Sequence, residues 1–374
     1  MTIVAVETNK QRKQFIDFPH QLYANDPNYV PEIYLAQKEL FSKSKNPFFK
    51  NAKVQLYLAY DSNQRIVGRI AAIRNDSYND FAKANIGFFG FFDVYEDYEI
   101  ARQLLDKAVA WVKAEGLDAI QGPTNFSTND TAGMLSEGFD SPPTVQMTYN
   151  APYYLDFVER YGFQSKMELL SYLITEEKVN MKSLRVANML EERLKKKGIV
   201  VRTLKMKQFK QDVKAIKEVY NAAWDKNWGF VPATDEEFEH LADGLKMIIN
   251  PDLALIAEHD GRKVGFLLAV PDINEIMRTV KRGRLLPFGI FKLLFGKNKV
   301  KKVRIITLGI LEDYRKMGIE GIFYSRVIQT CLAAKIYQAE ASWVLANNQM
   351  MNAGLEKLNA EVYKRHRIYE MPIS

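Results

Sequence analysis

Residues 54–73 read VQLYLAYDSNQRIVGRIAAI and residues 253–270 read LALIAEHDGRKVGFLLAV. Each is an apolar run, a polar turn and a second apolar run that opens on Val-Gly, at Val67-Gly68 and Val264-Gly265. Asp260-Gly261 is a strong two-residue hairpin signal and Ser62-Asn63 a weaker one. Upstream of the hairpins lie LYANDPNYVP at 22–31 and YNAAWDKNWGFVP at 220–232; downstream lie YYLDFVERYGF at 153–163 and MNAGLEKLNA at 351–360. Three marks in one order restrict the chain to a tandem of two related units. A length of 374 residues gives room for two domains.

Between the marks each half predicts a strand followed by a helix. Residues 86–94, IGFFGFFDV, read as an aromatic-rich strand. Ile100, Leu104, Leu105, Ala108, Trp111 and Val112 then recur at helical spacing, and Gly116 stops the helix. In the second half residues 303–311, VRIITLGIL, read as the strand, and Ile322, Phe323, Val327, Ile328, Cys331 and Leu332 as the apolar face of the next helix. Short strands at 119–122 and 341–345 follow. Alternating strands and helices predict an α/β (mixed α+β) class. Residues 179–198 predict a helix joining the halves, so the expected domains are 1–178 and 199–374 with 179–198 as linker. The chain is 47% hydrophobic and 26% charged, which excludes a disordered polymer. A lone cysteine, Cys331, allows no intramolecular disulfide and fits a reducing, cytoplasmic setting. His20, His240, His259 and His366 are far apart, with no zinc-like spacing, so no metal is expected. The first residues meet charge at Glu7, and no secretory signal is expected.

Charge is divided unevenly. Residues 1–180 hold 18 Lys and Arg against 23 Asp and Glu, net −5, and residues 181–374 hold 34 against 22, net +12. Ten basic residues and no acidic one fall within 276–311. A local patch of this kind suits the phosphates of a cofactor, an anionic lipid surface or RNA. Its confinement to one segment argues against a nucleic-acid protein. Residues 278–304 predict an insertion in the second half with basic flanks and an apolar centre, LLPFGIFKLLF at 285–295. That composition suits an interfacial membrane contact through 285–302, a lid over an acyl chain, or a helix packed on its own domain. The last is expected here, because eight large apolar side chains left in water would form an unusual patch.

In the second half the strand-to-helix turn reads LGILEDYRKMGIEG at 308–321. It resembles the acyl-CoA loop of the GNAT (Gcn5-related N-acetyltransferase) superfamily, whose pattern is Arg/Gln-x-x-Gly-x-Gly/Ala; Arg315 and Gly318 match. A turn opening a helix aims backbone N–H groups at an anion, and the helix dipole favours pyrophosphate there. The third position is Glu320 rather than Gly or Ala, with Gly321 next. The resemblance implies that acetyl-CoA or another acyl-CoA is held by Leu308, Ile310, Arg315, Lys316, Met317, Gly318, Ile319, Glu320, Gly321 and Asn348. It implies no catalytic residue: Leu355 stands where the family often has a Tyr acid, and 303–310 lacks the Glu many members use as a base. In the first half the matching turn, VYEDYEI at 94–100, has no glycine and carries Glu96, Asp97 and Glu99, a poor phosphate cradle.

The whole chain is similar to bacterial tandem-GNAT proteins that carry Asp26-Pro-x-Tyr-Val-Pro31, Asn46-Pro-Phe-Phe49, Val67-Gly-Arg-Ile70, Gly87-Phe-Phe-Gly-Phe-Phe92 and Gly138-Phe-Asp-Ser-Pro-Pro143. The fold implied is two mostly antiparallel sheets, each with splayed central strands flanked by helices. The long aperiodic loop at 122–154 offers Asn125, Asn129, Asp130 and Asn150 as polar contacts for a substrate and Phe126, Tyr149 and Tyr153 as walls; the same residues also suit a self-satisfied structural loop. Three functions follow: acyl-CoA-dependent N-acyltransfer to a small-molecule amine, ligand or CoA binding without turnover, and a membrane-peripheral acyltransferase.

Overall fold

The computed structural model describes residues 1–297 and 299–373, and these divide into two compact units. The first comprises Met1–Leu169, Met277–Lys292 and Lys364–Ser374, and the second Leu170–Ile276 and Leu293–Tyr363. Three points differ from the sequence-based boundaries. The helix Met181–Lys195, expected as a linker, lies in the second unit, where it packs along the helix Ile319–Ala333 through Arg326–Glu191 and Ser325–Asn188 (2.9 Å) contacts. The first part of the insertion belongs to the first unit. So do the last residues of the chain, because Tyr369–Pro372 pair with Ala119–Gly122.

In the first unit Thr2–Ala5, Ala52–Tyr60, Ile66–Asn75 and Ile86–Val94 form an antiparallel run. Ile86–Phe88 then pair in parallel with Ala119–Gln121, and the two strands separate beyond. In the second unit Ile199–Thr203, Ala254–His259, Arg262–Pro271 and Lys302–Ile310 repeat the antiparallel run. There Lys302–Ile305 pair in parallel with Gln338–Ala341 before the strands part. Each unit is therefore a mixed, mostly antiparallel sheet with splayed central strands.

The duplication extends to register. Ala59 faces Gly68 and Ala257 faces Gly265, each next to a bulge at the turn end of its hairpin. Gly68 in turn faces Val94 and Gly265 faces Ile310, the last residue of each central strand. The glycine admits the helix that follows. A Cβ on Gly68 would stand 2.6 Å from Leu104 Cδ1, and one on Gly265 would stand 3.4 Å from Phe323 Cε2. Those side chains head the cores formed by Leu104, Leu105, Ala108 and Val112 in one unit and by Ile322, Phe323, Val327 and Ile328 in the other.

The expectation that the insertion buries its apolar centre on the second unit is not met. Met277–Lys292 is fixed to the first unit: Arg278 donates to the Pro27 carbonyl (3.1 Å), and Arg284 stacks 4.5 Å over the Tyr34 ring and lies 3.6 Å from Asp17. Gly283 sits so close to Glu32 that only a residue without Cβ fits. Leu293 is buried, but Leu286, Phe288, Phe291, Leu294 and Phe295 are exposed.

Candidate functional site

The loop sits where the central strand of the second unit ends. That strand has the hairpin on one side as far as Ile310, whereas its parallel partner reaches only to Ile305. A 3-10 turn, Glu312–Met317, follows, then Gly318 in the left-handed region (φ 76°), then the helix Ile319–Ala333. Gly318 caps this helix without a side chain, so its first N–H groups have no cap from that residue. Open space surrounds the position a Cβ on Gly321 would take. Backbone N–H groups, a helix N-terminus and two glycines make a cradle suited to the phosphates of CoA.

Several residues expected at the cofactor have structural duties instead. Arg315 donates Nε to the Ile310 carbonyl (3.2 Å) and a second nitrogen to the Ala223 carbonyl (2.7 Å), which fixes the turn to the strand end. The Leu308 carbonyl accepts from the Trp224 indole (3.1 Å). Ile319 is buried, and Asn348 accepts from Met351 N (3.2 Å) as the N-cap of the helix Gln349–Glu356. Lys316 is exposed and Met317 is partly buried against the core.

Glu320 is the departure that matters. It stands in the first turn of the helix, where Oε2 is buried without a hydrogen-bond partner. Burial raises its pKa above the ordinary carboxylate range, and Lys357 draws it back. The side chain is thus a built-in anion at the place a phosphate would occupy. Leu190, on Met181–Lys195, is the second restriction: its Cδ2 lies 2.5 Å from where a Gly318 Cβ would stand.

The first unit shows what a filled cradle looks like. Asp97 caps the helix Tyr98–Ala114 with its own carboxylate, accepting from Glu99 N at 2.9 Å. A carboxylate thus already holds one of that helix's first N–H groups.

The candidate substrate residues of 122–154 are drawn together mainly by the fold. Asn125 accepts from Phe91 N and donates to Thr131 Oγ1, both at 2.8 Å. Phe126 is fully buried, stacked 5.2 Å from Phe48 and edge-on to Phe41, Phe49 and Phe91, so it is core and not a pocket wall. Asn150 accepts from Leu135 N (2.6 Å) and donates to the Leu135 carbonyl. Tyr153 donates to the Val94 carbonyl (2.7 Å) and Tyr149 to Asp26 (2.6 Å). Asp130 accepts from Ser127 Oγ, and Asn129 N donates to the same hydroxyl.

Two buried polar groups were not foreseen. In the first unit Arg69 pairs with Asp93 at 2.7 Å, and Asp93 also accepts from Tyr23. Tyr23 stacks on Tyr29, which bonds His20; burial pushes the His20 pKa down to about 4. In the second unit Arg304 donates to Ser342 Oγ (2.9 Å), which in turn bonds Glu340, and Tyr363 donates to the other Glu340 oxygen. This group lies one rung short of the splay, with Arg304 opposite Glu340 and Ile305–Ala341 the last pair. Burial lowers the Arg304 pKa to about 10 and raises that of Tyr363. The signals were present as Val67-Gly-Arg-Ile70 and Asp26-Pro-x-Tyr, read only as family marks.

Comparison with known proteins agrees with the fold. Over 367 residues the chain is 32% identical to protein YghO of Escherichia coli, covering 96% of this chain and 93% of that protein. Over 382 residues it is 33% identical to a bacterial ceramide synthase of Caulobacter vibrioides, covering 99% and 97%. No protein-family profile matches. Among solved structures, a tandem GNAT protein from the clavulanic acid biosynthesis pathway superposes with TM-score 0.59 at 11% identity, over 100% of this chain and 98% of that one. A GCN5-related N-acetyltransferase from Sphaerobacter thermophilus gives 0.54 at 13% identity, over 99% and 96%.

Proposed function

The chain belongs to the family of protein YghO and the bacterial ceramide synthase and has a tandem GNAT fold, and from that premise we propose that it is an N-acyltransferase taking its acyl group from an acyl-CoA at the second unit. The observation that carries this reading is the cradle from Gly318 to Gly321 at the end of a splayed central strand. Acyl-CoA, as substrate, supplies an activated thioester. The chain supplies backbone N–H groups at the N-terminus of Ile319–Ala333 for its phosphates and a turn fixed by Arg315. A neutral amine attacks the thioester carbonyl, a C–N bond replaces the C–S bond, the amine proton leaves to solvent, and the thiolate is protonated. Rate then rests on placing the two reactants together. No side chain is assigned as general base or acid: Leu355 is fully buried and has no ionisable group.

The acceptor we propose is the amine of a long-chain amino alcohol or amino ketone. Support comes from the name of one relative, ceramide synthase, since a ceramide is the N-acyl amide of such a compound. Binding without turnover is the second reading, favoured by Glu320 at the phosphate position. Incubation with palmitoyl-CoA and a panel of long-chain and short polar amines, with mass-spectrometric detection of the amide, separates them. Amide with a long-chain amine supports the proposal; amide only with a short polar amine refutes the acceptor; CoA bound with no amide from any amine establishes the second reading.

A further inference from the structure

We propose that the segment 285–297 docks this protein onto an anionic phospholipid bilayer. Five large apolar side chains within ten residues stand in solvent: Leu286 at 80% exposure, Phe288 at 74%, Phe291 at 55%, Leu294 at 45% and Phe295 at 73%. At 100° per residue along Gly289–Gly296, Phe288, Phe291 and Phe295 fall on one face, with Leu294 beside them, while buried Leu293 lies on the other. The helix thus uses one side to hold its place, and with Phe288 just before it presents three aromatic rings outward. Other exposed apolar side chains occur mostly one or two at a time along the sequence, which is ordinary. This cluster is not.

The segment is tied down by hydrogen bonds. Lys292 Nζ donates to the Thr279 carbonyl (2.8 Å), Ile290 N to the Leu285 carbonyl (2.6 Å), and Arg278 and Arg284 hold the segment's start as described. A short apolar helix held in this way has a finished outer face, not a loose one waiting to be buried.

Charge selects the occupant. Within 276–311 the sequence has ten Lys and Arg and no Asp or Glu. Lys281, Arg282, Lys292 and Lys299, within or flanking the segment in sequence, are exposed. A second copy of this face would bring like charges together, and an uncharged apolar partner would leave the cations without counter-ions. An anionic bilayer satisfies both halves: the acyl region takes the rings and the headgroups take the ammonium and guanidinium groups. Eight helical residues span only about 12 Å, so the segment lies in the interface and does not cross. Nor is any helix among the described residues long and apolar enough to cross a membrane.

The inference does not depend on acyl transfer, and its test reads lipid binding alone. The full chain is sedimented with vesicles of phosphatidylglycerol and phosphatidylethanolamine, and separately of phosphatidylcholine. We expect partition into the anionic vesicles that falls with salt and is far weaker with phosphatidylcholine. The combined variant Phe288→Ser, Phe291→Ser, Phe295→Ser should lose at least about tenfold in partition coefficient. Its melting temperature should not fall, since the three rings are exposed. Lys281→Glu with Lys299→Glu should remove most of the salt dependence. Absence of binding by the natural chain, or equal binding by the triple-serine variant, overturns the proposal. So does a dimer in sedimentation velocity that the serine variant dissociates while vesicle binding is unchanged.

Discussion

Glu320 gives the sharpest handle on the cofactor site. Its carboxyl lies in the first turn of the helix whose N-terminus a phosphate of CoA needs, and it is half-buried. Two unit charges about 5 Å apart at an effective dielectric of about 20 repel by roughly 3 kcal/mol. Rotation of the side chain into water relieves most of this, at the loss of a carboxylate–dipole attraction of about 0.3–1 kcal/mol. A residual penalty of about 1 kcal/mol remains, so Glu320→Gln should tighten CoA binding roughly fivefold in a calorimetric titration. Glu312→Gln is the control: that carboxylate is exposed and paired with Lys226 at 3.1 Å, and its loss should change affinity less than about twofold. The pH dependence has a definite sign. Burial holds the Glu320 pKa above its ordinary value, and it is the charged form that opposes phosphate. Affinity of the natural chain should therefore rise, relative to Glu320→Gln, as pH falls toward that raised pKa. Weaker or unchanged binding by Glu320→Gln, with no difference in pH profile, would refute the reasoning.

Other outcomes follow from the packing. Arg304→Met leaves buried Glu340 without its cation, and thermal unfolding should show about 3–5 kcal/mol of destabilisation; less than about 1 kcal/mol would mean that Glu340 is satisfied without it. Phe126→Ala removes a fully buried ring from an aromatic cluster and should cost about 3–5 kcal/mol in chemical denaturation, whatever the substrate. Gly68→Ala places a Cβ 2.6 Å from Leu104 and should cost about 1–3 kcal/mol by the same measurement, while Gly261→Ala, open but left-handed, should cost only the strain of its φ. Gly318→Asp puts bulk and negative charge on the cradle, and CoA binding should vanish in calorimetry with the fold retained.

The repeated order of hairpin, strand, helix and strand was legible because each element obeys a local rule. Val-Gly, alternating apolar runs and helical spacing need only neighbours in sequence, and the registers Ala59–Gly68 and Ala257–Gly265 bear them out. The place of the loop was legible for the same reason, but the duties of its side chains were not. Arg315 reaches the Ala223 carbonyl, 92 residues away, and no motif encodes that partner. Phe126 and Asn150 sit in a polar, aperiodic stretch that reads as a binding loop, yet long-range partners absorb them. The Arg69–Asp93 and Arg304–Glu340 pairs escaped because buried charges are rare and their neighbours are set by sheet register. The insertion misled for a physical reason: apolar composition predicts burial, whereas Leu286, Phe288, Phe291, Leu294 and Phe295 face solvent.

The account turns on the second unit, and not the first, receiving the acyl donor. Hydrogen–deuterium exchange with and without CoA tests this most directly, because free N–H groups at a helix start exchange readily unless a ligand covers them. Protection is predicted at 317–322, where Gly318 leaves the helix uncapped by a side chain, and none at 95–101, where Asp97 already caps its own helix. Protection of 95–101 with 317–322 unchanged would contradict the assignment.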